Sequence, residues 1–362
     1  MFKGKKKKIF KGILIVFLMA LGFLVIQNEI TARKYSHILD AKVLSEKDKK
    51  GIAEVKKIKE ELGNEIWPGF KEKEIPIILY NDKYEFLYAD KSPDSYWEII
   101  EGKGDNNKYF RRAAVNSQAF AVKTGDVWTG SIGNLQKMNK DYFLGIRSEL
   151  PYIPAKLFPY QFAIMTEDIH TVVVIHEMFH GFQAVSNEEK LLKAEASHSA
   201  LKTYPYGDEG FRKQWNEEGG ILSKALKAKD KNETKELLKE FVKRRDERRT
   251  AANLNGEAIE AEKKLEWLEG LAKYTEIKAH ELAAERDSGN FSYNYKKGLT
   301  FWRGEFNKLK HGLGNSDGDY RFYLSGMAQA RILDKLGVQW KDKMMEDGVY
   351  LEDEVEEFLK NN

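Results

Sequence analysis

The sequence predicts an α+β chain in three parts: a membrane-inserting N-terminal helix, a small mixed sheet, and a mainly helical second half. Three observations carry this expectation. Residues 12–26 contain no charge and follow Lys3, Lys5, Lys6, Lys7, Lys8 and Lys11. Between 75 and 153, short β-branched and aromatic runs alternate with glycine-containing turns. Beyond Thr166, Gly and Pro thin out and apolar residues recur at helical spacing. The boundaries fall at 1–30 for a basic tail and apolar segment, 31–72 for a stalk or helical linker, 73–165 for a β-rich subdomain, and 166–362 for the helical part.

At the N-terminus, residues 9–26 as a helix would span roughly 27 Å, close to the thickness of a bilayer core, with Lys11 snorkelling to its edge. Six flanking lysines speak against a buried core helix. They predict a cytoplasmic N-terminus and place everything after Gln27 outside. Ile30-Thr31-Ala32 is the one stretch resembling a signal cleavage site, so the segment reads as a single-pass anchor or, alternatively, as the signal of a secreted chain. In 31–72, Ile38, Leu39, Val43, Leu44, Ile52, Val55, Ile58 and Leu62 punctuate a polar background, which predicts helix without evident chemistry. Residues 75–80, 119–122, 127–132 and 152–160 read as strands, with turns at Gly102-Lys103-Gly104 and Thr124-Gly125-Asp126. The highly charged stretch 223–249 and the pattern over 257–286 read as helices. In the former, Lys239, Lys243, Arg244, Arg245, Arg248 and Arg249 interleave with acids and predict a solvated face.

With 362 residues and 42% hydrophobic content the chain can bury a sizeable core. It has no cysteine, which excludes disulfides, thiolate metal sites and cysteine nucleophiles. Any metal must be held by His, Asp or Glu. The net charge of +3 is confined to the N-terminus: residues 1–34 hold eight basic residues against Glu29, and the remainder is slightly acidic. No basic field for nucleic acid is left.

His176-Glu177-Met178-Phe179-His180 is the stretch that carries chemistry. On a helix, His176 and His180 lie one turn apart on one face, so both imidazoles can reach one tetrahedral Zn²⁺. Glu177 then lies beside the metal, placed to take a proton from a water whose pKa the metal lowers. The β-branched run Thr171-Val172-Val173-Val174-Ile175 ahead of it suits a helix buried on all sides. The same spacing also serves two core histidines satisfied by hydrogen bonds. The metzincin arrangement, with Gly three and His six residues after the second histidine, does not fit, because those positions are Gln183 and Ser186. Among downstream carboxylates, spacing alone leaves Glu266 and Glu269 open, and Glu269 with Lys273 also fits an ordinary i,i+4 pair.

Glu266-Trp267-Leu268-Glu269-Gly270-Leu271-Ala272-Lys273-Tyr274 resembles the Glu-Gly-Leu-Ala-x-Tyr segment of gluzincin peptidases of the thermolysin and M1-aminopeptidase type. The resemblance implies a gluzincin-like catalytic domain with Glu269 as third zinc ligand. Gly270 would then permit close approach of the two zinc helices. It further implies a Tyr or His beyond that ligand as oxyanion donor. Tyr293, Tyr295, Tyr320 and Tyr323 qualify by order, and Tyr323 belongs to Tyr320-Arg321-Phe322-Tyr323-Leu324-Ser325-Gly326, similar to a helix start in related families. Core anchoring is the other reading for each. The 89 residues from His180 to Glu269 imply an insertion over 187–256, and the exopeptidase Gly-x-Met-Glu-Asn signature is absent. Thr129-Gly130-Ser131-Ile132-Gly133-Asn134 is the candidate edge strand for substrate backbone. His170, His198 and His311 lack ligand spacing and are expected outside the site.

The expected function is thus a membrane-anchored, extracytoplasmic zinc metallopeptidase acting on peptide or protein substrates. A non-peptide amide, such as a cell-wall peptide bridge, is a substrate variant of the same chemistry. The alternative class is a non-catalytic binding or scaffold protein on the same fold.

Overall fold

The computed structural model describes residues 2–90, 92, 94–101, 108–115, 117–160, 164–286, 289–315 and 318–362. The turn expected at Gly102-Lys103-Gly104 lies outside them. Helices α1 (Phe2–Tyr35) and α2 (Glu46–Ile66) precede strands β1 (Ile77–Tyr80), β2 (Tyr84–Ala89), β3 (Glu98–Glu101), β4 (Lys108–Ala113), β5 (Phe120–Thr124) and β6 (Val127–Gly133). Then come α3 (Leu135–Glu149), α4 (Tyr152–Leu157), α5 (Glu167–Ser186), α6 (Glu188–Ala196), α7 (Glu209–Lys227), α8 (Lys231–Ala251) and α9 (Gly256–Leu265). A π-helical turn, Glu266–Gly270, leads into α10 (Leu271–Glu285), followed by α11 (Tyr295–Gly298), α12 (Trp302–His311), α13 (Tyr320–Leu336) and α14 (Leu351–Asn361). The α+β class and the mixed sheet are as expected.

α1 contains the one helix among the described residues long and apolar enough to cross a membrane, with Ile13, Phe17, Phe23 and Ile26 facing outward. The following segment is more than a stalk. Ser45 and Asp48 close a capping box at the start of α2, and Ile52, Val55, Ile58, Leu62 and Ile66 form its buried stripe. These side chains share one hydrophobic cluster with Ile77, Leu79 and Phe86 of the sheet and with α5 and α10.

The sheet order is β3-β4-β2-β1-β6-β5, with β1 antiparallel to β2 and parallel to β6. The expected edge strand is therefore interior: Thr129–Gly133 belongs to β6, and β5 is the edge beside it. Residues 152–157 form helix α4, not a strand. Pro151 sits at its N-cap and Pro154 in its first turn, where proline's fixed φ suits a helix and its missing N–H costs nothing.

The charged stretch also departs from expectation. Arg245, Arg248 and Arg249 of α8 are buried, not solvated. Arg245 donates to Glu218, Glu266 and Glu352, Arg248 to Glu218 and Glu262, and Arg249 to Glu262 and Glu352. Three further helices, α7, α9 and α14, and the π turn are pinned to α8 by carboxylates far apart in sequence. Such an interior cluster is tolerated because each charge meets a partner. Lys239, Lys243 and Arg244 remain on the outer face.

Candidate metal centre

Helix α5 runs between the sheet and α10 and is buried along nearly its whole length, as its run of apolar residues requires. Its approach to β6 depends on Gly130, where a Cβ would meet the Met178 backbone nitrogen at 2.8 Å. The strand thereby passes directly over the turn holding Glu177 and Met178. From the other side the π turn brings Glu269 to the same place. Gly270 allows this by a different contact from the one expected: its added Cβ would meet the Gly326 Cα at 2.5 Å, so the close crossing is with α13, not α5. That crossing places Tyr323, one turn before Gly326, against the histidines.

His176, His180 and Glu269 converge into a buried group able to hold a metal ion. The His176 and His180 Nε2 atoms are 3.2 Å apart, and Glu269 Oε2 lies 3.6 Å from the first and 3.3 Å from the second. The outward nitrogens show which lone pairs face inward. The Gln183 side-chain amide donates to the carbonyls of Trp267 (2.9 Å) and Leu268 (3.2 Å), so its Oε1 accepts from His180 Nδ1–H at 2.9 Å. Glu276 Oε2, 3.0 Å away, accepts from His176 Nδ1–H. Both Nε2 atoms are then bare when the rings are neutral, and Glu269 Oε2 has no hydrogen-bond partner.

Three bare electron pairs in a buried space demand a cation or a proton. Their separations match the roughly 3.3 Å edge of a tetrahedron around an ion bonded at about 2.0–2.1 Å. The donor set therefore fits a metal ion. Without one, a proton takes its place: burial opposes charge on His176, but Glu269 and Glu276 outweigh it and raise its pKa to about 10. Glu269 is correspondingly lowered, burial being overcome by His180 and His176.

Glu177 is buried beside this group, and burial pushes its carboxyl up to about 7 against the pull of His176 and His180. The Tyr323 ring stacks on His176 with centroids 5.7 Å apart, and burial together with Glu269 holds its hydroxyl well above the ordinary phenol value. The other three tyrosines are engaged elsewhere. Tyr320 bonds Glu305, Tyr295 reaches Glu54 at 3.3 Å, and Tyr293 lies under the Lys50 ammonium. Phe120 of β5 covers His180, with centroids 4.6 Å apart, so the sheet edge borders the site.

Glu266 is excluded as a ligand by its partners: it faces Arg245, Ser325 and Gln329. Lys273 pairs with Glu276 at 3.1 Å instead of with Glu269. His170 bonds the Gly133 carbonyl, His198 pairs with Asp319 at 3.2 Å, and His311 is exposed; none joins the cluster. Sequence reasoning missed two groups that orient the imidazoles. Glu276 stands seven residues after Glu269, hence on the same helix face, and Gln183 stands one helical turn beyond Phe179 and three residues after His180. Comparison with family models, with curated proteins and with solved structures finds no match for this chain.

Proposed function

We propose that the chain is a membrane-anchored, extracytoplasmic zinc metallopeptidase of gluzincin type, hydrolysing peptide bonds in peptide or protein substrates. The observation that carries this reading is the convergence of His176 Nε2, His180 Nε2 and Glu269 Oε2 beside a buried Glu177 with a pKa near 7. A zinc ion held by these three residues would supply Lewis-acid polarisation and lower the pKa of a water ligand toward about 7.

The chain's own groups divide the remaining work. Glu276 and Gln183 hold the two imidazoles with Nε2 inward. Glu177 in its ionised form takes the proton of the attacking water on its carboxylate and returns it to the leaving amine nitrogen. Burial, which disfavours its charge, favours the return of that proton. Tyr323 keeps its proton at any working pH and donates it as a hydrogen bond to the developing oxyanion. The free edge of β5 takes the substrate backbone as an added strand, with Phe120 next to the scissile bond. The lysines ahead of the apolar helix support a cytoplasmic N-terminus and a catalytic part outside.

The test uses the full chain in detergent. Elemental analysis should find about one zinc per chain, lost in His176→Ala and His180→Ala. Glu177→Gln should keep the zinc while hydrolysis of an unstructured test protein falls by about 10²–10⁴. Undiminished zinc in both histidine variants, or undiminished hydrolysis in Glu177→Gln, would overturn the reading.

A further inference from the structure

The apolar N-terminal helix does not leave the folded part as a free tether. The charge-free stretch 12–28 rises about 25 Å as a helix, which brings Asn28 and Glu29 to the outer edge of a bilayer core. At that level α1 packs on α4. Asn28 is buried, and its side-chain amide donates to the Lys156 carbonyl at 2.6 Å and the Phe158 carbonyl at 2.8 Å. These carbonyls belong to the C-terminal end of α4, which has no intrahelical partner for them. Glu29 pairs with the Lys156 ammonium in the same contact. About two turns beyond Asn28, Tyr35 completes a buried cluster with Phe143 of α3 and Tyr160.

Signal cleavage after Ala32 would strip Asn28 and Glu29 from this joint and leave two helix-end carbonyls without donors. The joint is built for a helix that stays. Beside it, α4 turns Tyr152 and Ile153 outward, 75% and 68% exposed, with Pro151 and Pro154 also on the outside. Arg33, Lys34 and Arg147 are exposed around them, and the Lys156 ammonium lies over the Tyr152 ring at 5.7 Å. An amphipathic tyrosine and an isoleucine at the headgroup level, ringed by cations, match the chemistry of an anionic bilayer surface.

We propose that α4 and the adjoining end of α1 form a membrane-interface collar, in which Tyr152 and Ile153 enter the outer lipid surface and fix the folded part against the bilayer. The occupant of this face is lipid, because the face is continuous with the anchor helix that already lies in lipid. The proposal rests on reading α1 as a retained anchor.

The absence of cysteine makes the test direct. Single spin labels are placed by Ile153→Cys, Phe17→Cys and Lys229→Cys in the full chain, reconstituted in vesicles of phosphatidylcholine with phosphatidylglycerol. Accessibility to oxygen is compared with accessibility to a water-soluble nickel complex. Labels at Ile153 and Phe17 should show an oxygen-to-nickel ratio several-fold above the label at Lys229. A water-like ratio at Ile153 with a lipid-like ratio at Phe17 would overturn the collar and leave the anchor standing. Water-like ratios at both would overturn the anchor as well. Spin–spin broadening at Ile153 that disappears on dilution with unlabelled protein would place a second copy on the face and overturn the lipid assignment.

Discussion

Two buried polar clusters lie on opposite sides of one π-helical turn, and they differ in completeness. On one side Glu266 joins Glu218, Glu262 and Glu352 around Arg245, Arg248 and Arg249, each oxygen meeting a guanidinium or another donor. On the other, Glu269 meets the bare faces of two histidines, and its Oε2 has no hydrogen-bond partner. A saturated cluster can only hold helices together. An unsaturated one, kept open by Glu276 and Gln183 behind the rings, has capacity for a ligand. Burial and charge are common to both clusters; what distinguishes the second is that its inward lone pairs are unsatisfied.

The largest effect should come from breaking the complete cluster. Arg248→Ala leaves Glu218 and Glu262 short of a partner in the interior, and urea unfolding should show a loss of about 3–5 kcal/mol. A loss below about 1 kcal/mol would mean that the cluster is not the clamp described. The comparison sharpens across the turn. Glu269→Gln should weaken zinc binding by about 100-fold or more, and Glu276→Gln by about 10–100-fold. Glu266→Gln should lower stability and leave zinc affinity unchanged. Equilibrium dialysis of the three variants decides this, and a zinc defect in Glu266→Gln would erase the division between the clusters.

The smallest effect is a shift in acid stability. Burial raises the Glu352 carboxyl, but Arg245 and Arg249 outweigh it and bring it to about 2. The folded pKa thus lies below the ordinary 4.5, so the pairing contributes stability above about pH 4.5 and loses it as pH falls toward 2. Melting temperatures recorded through that window should fall, and Glu352→Gln should flatten the fall. An unchanged slope in the variant would remove Glu352 from the explanation.

The same contrast governs what the sequence disclosed. The histidine pair was legible because metal chemistry demands particular residues at a helical period, whereas spacing left Glu266 and Glu269 open and only the resemblance of segment 269–274 chose between them. Strands β1, β5 and β6 were legible because their apolar runs end at turns. Arg245, Arg248 and Arg249 looked solvated because the apolar stripe of α8, Leu237, Leu238, Phe241 and Val242, stops before them; they continue its buried face, and their partners come from α7, α9, the π turn and α14, far away in sequence. α4 was misread because Tyr152, Ile153 and Leu157 have the composition of a strand, while its prolines fit only a first helical turn. The exchange of edge between β5 and β6 follows from the parallel pairing of β1 with β6, a long-range choice.

The π turn also has a meaning in chain length. Such a turn is a helix that has absorbed one residue beyond its regular period. Each residue of a regular helix accounts for about 100° of rotation. Deleting any one of Glu266–Gly270 would leave a continuous helix behind, yet it would swing α10 by about that angle relative to α9. Glu276 would be carried away from His176, and Glu266 and Glu269 could no longer face opposite clusters. The length of the five-residue turn therefore matters to both clusters as much as the carboxylates it carries.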